Sequence, residues 1–216
     1  TLDFAVKGIM MGAISGIDMA LFDLKGKLLS SNLSILMGGS VRKSLVGYAT
    51  GMYFDYDSDA NLIKKIIREA EGYIEAGFKA LKIKIGKNTN FDKALIKEMR
   101  ESFPDIQLMA DANHGYDINE AIVIGRYLEE NNYLWFEEPL SPTQLDLYCL
   151  LSGKLDIAIS AGESEQTRWG FQNMLASKAV TIIQPDMAYC GGPSEALKIR
   201  SIASSYGINT IPHCWG

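Results

Sequence analysis

Apolar positions along the 216-residue chain follow two alternating rhythms. Seven short runs read as strands: S-L-V-G-Y-A-T (44–50), K-A-L-K-I-K-I-G (79–86), I-Q-L-M-A-D-A-N (106–113), Y-L-W-F-E-E-P (133–139), D-I-A-I-S-A-G-E-S (156–164), V-T-I-I-Q-P-D (180–186) and I-N-T-I-P-H-C (208–214). Between them lie longer stretches with apolar residues at helical spacing, such as N-L-I-K-K-I-I-R-E-A-E-G-Y-I-E-A-G-F (61–78) and I-N-E-A-I-V-I-G-R-Y-L-E-E-N (118–131). Strands alternating with helices imply a parallel α/β fold with crossover connections. Ahead of the alternation, residues 5–28 carry apolar residues at helical spacing and M-G-G-S (37–40) ends them, predicting one or two packed helices whose methionines serve the core. A further helix is expected from Pro142, with Ser141 as cap and Gln144 closing a capping box. No second domain boundary is visible after residue 45.

Ionisable residues keep time with the strands. Lys84, Asp111, Glu137, Glu163, Asp186 and His213 fall at successive intervals of 27, 26, 26, 23 and 27 residues, each at the C-terminal end of an expected strand. In a (β/α) barrel those ends open onto one mouth, where active sites are built, whereas an open sheet strings them along a line. Period-2 alternation in K-A-L-K-I-K-I-G sets Leu81, Ile83 and Ile85 on one face and Ala80, Lys82 and Lys84 on the other. In a barrel the lysines point inward, where unpaired ammonium groups are costly and acids are needed to offset them. Asp111, Glu137 and Glu163 are hard oxygen donors whose mutual repulsion a cation would relieve, and Mg²⁺ suits such a set. Taken singly, each residue has an ordinary reading: E-E-P as a solvated turn, Asp111 or Glu163 as a helix cap, Asp186 as a turn former and His213 as a core histidine. Their coincidence at matching strand ends favours a site.

Composition narrows the function classes. With 47% hydrophobic and 22% charged residues the chain is of ordinary globular type, and its net charge of −5 gives no footprint for nucleic acid. No apolar run is long enough to span a membrane, and the N-terminus lacks the pattern of a secretion signal. Cys149, Cys190 and Cys214 fit neither a disulfide framework nor a zinc pattern, so a cytoplasmic location is expected and Cys190 and Cys214 read as buried fillers. His114 stands next to the site without a legible direction. A Schiff-base aldolase using Lys84 and a non-catalytic metal-binding remnant are the competing classes.

The segments G-I-D-M-A-L-F-D-L-K-G-K, K-I-K-I-G, D-A-N, W-F-E-E-P-L, G-E-S, Q-P-D…C-G-G-P-S-E-A-L-K-I and I-P-H-C-W-G together resemble the enolase superfamily, specifically its mandelate racemase subgroup. The resemblance implies a modified (β/α)7β TIM-like barrel over residues 45–216, truncated after strand 7, with residues 1–44 forming the end of an α+β capping domain. It implies that Asp111, Glu137 and Glu163 bind Mg²⁺ and that Lys84 is one acid/base. His213, paired with Asp186, is then the other. Lys82 helps hold a substrate carboxylate and Glu138 positions it. Asn113, read from its place next to the site, is a further substrate-side candidate. A Lys or His base working with Mg²⁺ is the superfamily's known pattern. The implied reaction abstracts the proton alpha to a carboxylate through an enediolate. Loss of a neighbouring hydroxyl gives acid-sugar dehydration; return of the proton on the other face gives racemisation or epimerisation; loss of a ring oxygen opens a lactone. The expected partner is a small acid sugar or lactone, with no nucleic acid or membrane, and a homo-oligomer is expected. The missing eighth strand and most of the capping domain suggest a fragment that is weakly active or inactive and prone to associate.

Overall fold

The computed structural model describes residues 7–40 and 42–214. In chain order the elements begin with α1 (Ile9–Leu29), α2 (Leu33–Leu36), β1 (Ala49–Thr50), α3 (Asp59–Glu75), β2 (Ala80–Lys84), α4 (Thr89–Ser102), β3 (Gln107–Asp111) and α5 (Ile118–Glu130). They continue with β4 (Trp135–Glu137), α6 (Leu145–Ser152), β5 (Ala158–Ala161), α7 (Thr167–Ala176), β6 (Ile182–Ile183), α8 (Gly192–Ser205) and β7 (Asn209–Thr210). All seven strands fall inside the segments expected from the alternation, and strand order in the sheet is the chain order. Val41, Trp215 and Gly216, the last two from the I-P-H-C-W-G segment, lie outside the described residues, as do residues 1–6. The chain divides into two compact units, Val46–Ser160 and the remainder on either side of it.

In the unit 46–160, β1 to β5 pair in order, every pair parallel. The face of β2 carrying Leu81, Ile83 and Ile85 is fully buried. Helices α3, α4 and α5 each bury a stripe at three- and four-residue spacing: Leu62, Ile66 and Ala70; Leu95, Ile96 and Met99; Ala121, Ile124 and Leu128. Caps fix where these helices start. Asn88 accepts from the Phe91 amide at 2.9 Å to open α4, and Asp117 with Glu120 forms a capping box for α5. The loops after β2 and β3 interlock at two glycines. Gly86 has φ 98°, and a Cβ there would meet the Ala112 carbonyl oxygen at 2.6 Å; one on Gly115 would meet the Gly86 Cα at 2.8 Å.

One expected start is corrected. Helix α6 begins at Leu145 rather than Pro142. Residues 141–144 close a turn through the Gln144 amide on the Ser141 carbonyl at 3.0 Å, and the Ser141 hydroxyl is engaged with Thr143, so no capping box forms.

In the other unit, β6 and β7 are parallel, and the Gln184 amide donates to the carbonyl of Ala161, the last residue of β5, at 3.0 Å. Helix α8 has no cap from its own chain neighbour Gly191. Instead Asp18 of α1 accepts from the Ser194 amide at 2.8 Å and its hydroxyl at 2.9 Å, supplying the carboxylate that a helix N-terminus favours. Two packing expectations are corrected here. Of the early methionines only Met11 is buried, while Met10 and Met19 are exposed, because α1 turns a largely apolar face outward. Cys190 is a buried filler as expected; Cys214, beyond the short β7, is exposed.

Candidate active site

In the unit 46–160 the candidate site residues stand on three neighbouring strand ends. Lys84, Asp111 and Glu137 are the last residues of β2, β3 and β4, and the register pairs Lys84 with Asp111 and Asp111 with Glu137. Alternation places Lys82 and Lys84 on one face, and both reach Asp111: Lys84 Nζ lies 2.6 Å from Oδ2 and Lys82 Nζ 3.6 Å. Lys82 is buried and also donates to Glu137 Oε1. The other Glu137 oxygen accepts from the Trp135 indole at 2.9 Å. A carboxylate oxygen of Asp111 and one of Glu137 lie within 4.8 Å of each other. Lys84 donates a second time, to Asn113 Oδ1 at 2.8 Å, and the Asn113 amide donates to Asp111 Oδ1 at 3.0 Å. Asn113 therefore stands beside the lysine.

Charge and burial oppose each other at Lys82. Burial acts to lower the pKa of its ammonium, but the Glu137 and Asp111 carboxylates outweigh it, and the ammonium is held above its ordinary range. Its Nζ also lies 5.6 Å from the centroid of the Tyr48 ring, and that ring meets Trp135 edge-on at 5.5 Å. Burial raises the Tyr48 phenol, which Lys82 partly counters. Tyr53 receives Lys84 in the same way, 5.6 Å from its centroid.

The adjacent acids of W-F-E-E-P part company at the strand end. Glu137 continues the alternation on the face of Trp135. Glu138 has left-handed backbone, φ 41°, and is 1% exposed. Its Oε2 lies 3.0 Å from His114 Nε2, an ion-pair approach without the alignment of a hydrogen bond, and neither Glu138 oxygen has a hydrogen-bond partner among the described residues. Glu138, expected to position substrate, thus faces His114. Asn113 and His114 are also left-handed, at φ 41° and 65°. For residues with a Cβ that conformation costs on the order of 1 kcal/mol each and persists where surroundings impose it.

The other unit holds its own triad of groups. His213 Nδ1 lies 2.7 Å from Asp186 Oδ2, and Nε2 lies 3.3 Å from Glu163 Oε2. Asp186 combines two roles, because its Oδ1 also accepts from the Ala188 amide at 2.6 Å and so shapes the turn after β6. A bridge between Asp186 and His213 extends the β6–β7 pairing. Here the strand-end expectation needs adjusting: Glu163, Asp186 and His213 lie two or three residues past β5, β6 and β7, in the following loops. Burial, with Asp186 and Glu195 nearby, pushes the Cys190 thiol up to about 12, which disfavours the nucleophilic thiolate.

The sequence reading did not point to Tyr48 or Trp135, and it placed His114 beside the site without a direction. Trp135 was accessible to it, because the period of two puts it on the face of Glu137. Tyr48 falls one residue before a two-residue strand, too short to assign a face. The direction of His114 depends on two left-handed residues that no periodicity encodes.

Hard, buried oxygen donors beside paired lysines form a group that could hold a metal ion, and the comparisons with known proteins bear on it. The protein-family description "Enolase C-terminal domain-like" matches residues 65–216, and "Mandelate racemase / muconate lactonizing enzyme, N-terminal domain" matches residues 2–38. The chain belongs to the enolase superfamily, in its mandelate racemase/muconate lactonizing enzyme subgroup, and its fold class is that superfamily's α/β barrel over seven strands.

Among relatives, it is 42% identical to the D-galactarolactone cycloisomerase of Agrobacterium fabrum over 99% of this chain and 56% of that protein. It is 38% identical to the arabinonate dehydratase of Saccharolobus solfataricus over 99% and 57%. The crystal structure of 3,6-anhydro-D-galactonate cycloisomerase from Zobellia galactanivorans is similar with a TM-score of 0.92 at 40% identity, over 100% of this chain and 59% of that one. That of L-talarate dehydratase from Polaromonas sp. JS666, complexed with Mg and L-glucarate, has a TM-score of 0.89 at 30% identity, over 98% and 58%. The chain spans about half the length of the curated relatives it matches.

Proposed function

We propose that the protein abstracts the proton alpha to the carboxylate of an acid sugar, forming an enediolate, and completes a dehydration. The observation that carries this reading is the position of Lys84, an amine held between the Asp111 carboxylate and Asn113 at 2.6 and 2.8 Å. That is where a base must stand to meet a substrate whose carboxylate is fixed by a neighbouring cation. The donor set suits Mg²⁺: Asp111 and Glu137 are buried oxygen ligands within reach of one another, and Glu163 is the third carboxylate matching the superfamily motif. Bound Mg²⁺ supplies stabilisation of the negative charge that develops on the substrate carboxylate as the proton leaves.

The chain's own residues do the rest. Lys84 takes the proton. Lys82, kept cationic by its two carboxylates, steadies the substrate carboxylate, and Asn113 aims Lys84. His213, oriented by Asp186 on Nδ1, presents Nε2 as the acid that protonates the departing hydroxyl. A second reading, opening of a lactone ring by the same groups, gains support from the two relatives named as cycloisomerases. Racemisation or epimerisation needs only that His213 deliver its own proton to the opposite face of the enediolate while Lys84 keeps the one it took.

The test is a panel of aldonates, aldarates and their lactones incubated with protein and Mg²⁺. Formation of a 2-keto-3-deoxy acid, abolished by Lys84→Ala, is the expected result. Ring opening without a keto acid selects the second reading. A product that Lys84→Ala still forms overturns both.

A further inference from the structure

One histidine ties together the loops that follow β3 and β4. The His114 amide donates to the Glu138 carbonyl at 2.8 Å, Nδ1 lies 3.2 Å from the Leu140 carbonyl oxygen, and Nε2 lies 3.0 Å from Glu138 Oε2. The Leu140 carbonyl can only accept, so Nδ1 carries a hydrogen. Nε2 is then turned to a carboxylate that is 1% exposed and has no hydrogen bond among the described residues. His114 Nε2, when protonated, is the ion-pair partner that so buried a carboxylate calls for. These contacts lie beyond the ladder, whose last link is the Ala112 amide on the Glu137 carbonyl at 2.9 Å.

We propose that His114 and Glu138 form a positioning clamp that sets the geometry of the metal- and proton-handling residues, an inference that rests on the functional reading above. Each acts through its chain neighbour. Asn113, adjacent to His114, receives Lys84 and donates to Asp111; Glu137, adjacent to Glu138, receives Lys82 and Trp135. Asn113, His114 and Glu138 all hold left-handed backbone, and a clamp joining the two loops is what keeps that conformation in place. With it closed, Asp111 and Glu137 are held at a fixed separation and Lys84 is aimed. With it open, the loops relax and the ligand oxygens lose their register, as happens when groups supporting metal ligands are removed.

The experiment uses the 216-residue chain with Glu138→Gln, His114→Gln and the double variant. Mg²⁺ affinity is measured by calorimetry. In metal-free protein, the rate at which an amine reagent labels Lys84 is followed by peptide mass mapping, with melting curves alongside. Either single variant is expected to weaken Mg²⁺ binding about tenfold or more and to speed Lys84 labelling. The double variant should cost no more than the worse single one, because the pair acts as a unit. Wild-type affinity and wild-type labelling in Glu138→Gln overturn the clamp, as does a lowered melting temperature with both readouts unmoved. Glu138→Gln is nearly isosteric and decides the question if His114→Gln does not fold. If wild type binds no Mg²⁺, the functional reading fails, and Lys84 labelling still decides the clamp.

Discussion

Lys82 sits where an isolated ammonium would be expensive, and two carboxylates keep it there. Taking one away leaves a buried charge short of a partner. Glu137→Gln is therefore expected to destabilise the metal-free protein by about 3 kcal/mol in urea titrations. Asp92 shows the opposite balance. It is fully buried in α4, accepts from the Tyr116 hydroxyl at 2.7 Å and holds the Lys87 amide at 3.3 Å, next to the interlocked glycine loops. Burial raises its carboxyl above the ordinary 3.8, and these hydrogen bonds only partly counter that. The folded protein then keeps this proton to higher pH than the unfolded chain. The stability linked to it is fully present below pH 3.8 and is lost as pH rises through the folded value. Urea titrations above pH 3.8 should show this decline in wild type and lack it in Asp92→Asn. At this scale the sequence was legible wherever a period of two applied: it placed Lys82 and Lys84 together and could have placed Trp135. It was illegible at Asn113, His114 and Glu138, whose directions follow from left-handed backbone imposed by contacts between loops.

Among the helices, α4 and α8 show how long-range partners complete local structure. Arg100 near the end of α4 donates to the carbonyls of Phe103, Pro104, Ile106, Asn131 and Asn132 at 2.9–3.2 Å, joining the chain before β3 to the end of α5. A lysine has the charge but not the planar fork, so Arg100→Lys is expected to lower stability by about 2 kcal/mol, measured by urea titration. Helix α8 takes its cap from Asp18, so Asp18→Ala should cost about 1 kcal/mol. Strand positions were legible because β-prone runs and helical stretches alternate regularly. The start of α6 was not, because Ser141 and Gln144 carry the residue types of a capping box while the backbone closes a turn instead. Asp18 could not be recognised as a cap for α8 either, since it lies 176 residues from Ser194.

For the molecule as a whole, family and fold class were legible from motif order and spacing, and the substrate was not, because the same residues serve dehydration, racemisation and lactone opening. No helix among the described residues is long and apolar enough to cross a membrane. Helix α1 presents Ile17, Leu21, Leu24 and Leu28 to solvent at spacings of three and four residues, a continuous apolar stripe. A stripe of this kind promotes association. Sedimentation velocity should therefore show concentration-dependent self-association of the 216-residue chain, reduced by Leu24→Lys with Leu28→Lys; identical profiles would count against it.

The central proposal is that Asp111, Glu137 and Glu163, the carboxylates of the superfamily motif, serve one Mg²⁺. Calorimetric titration of Mg²⁺ into wild type, Asp111→Asn and Glu163→Gln tests it most directly. The account predicts one site in wild type and its loss in both variants. No binding in wild type, or affinity unchanged by either substitution, would contradict it.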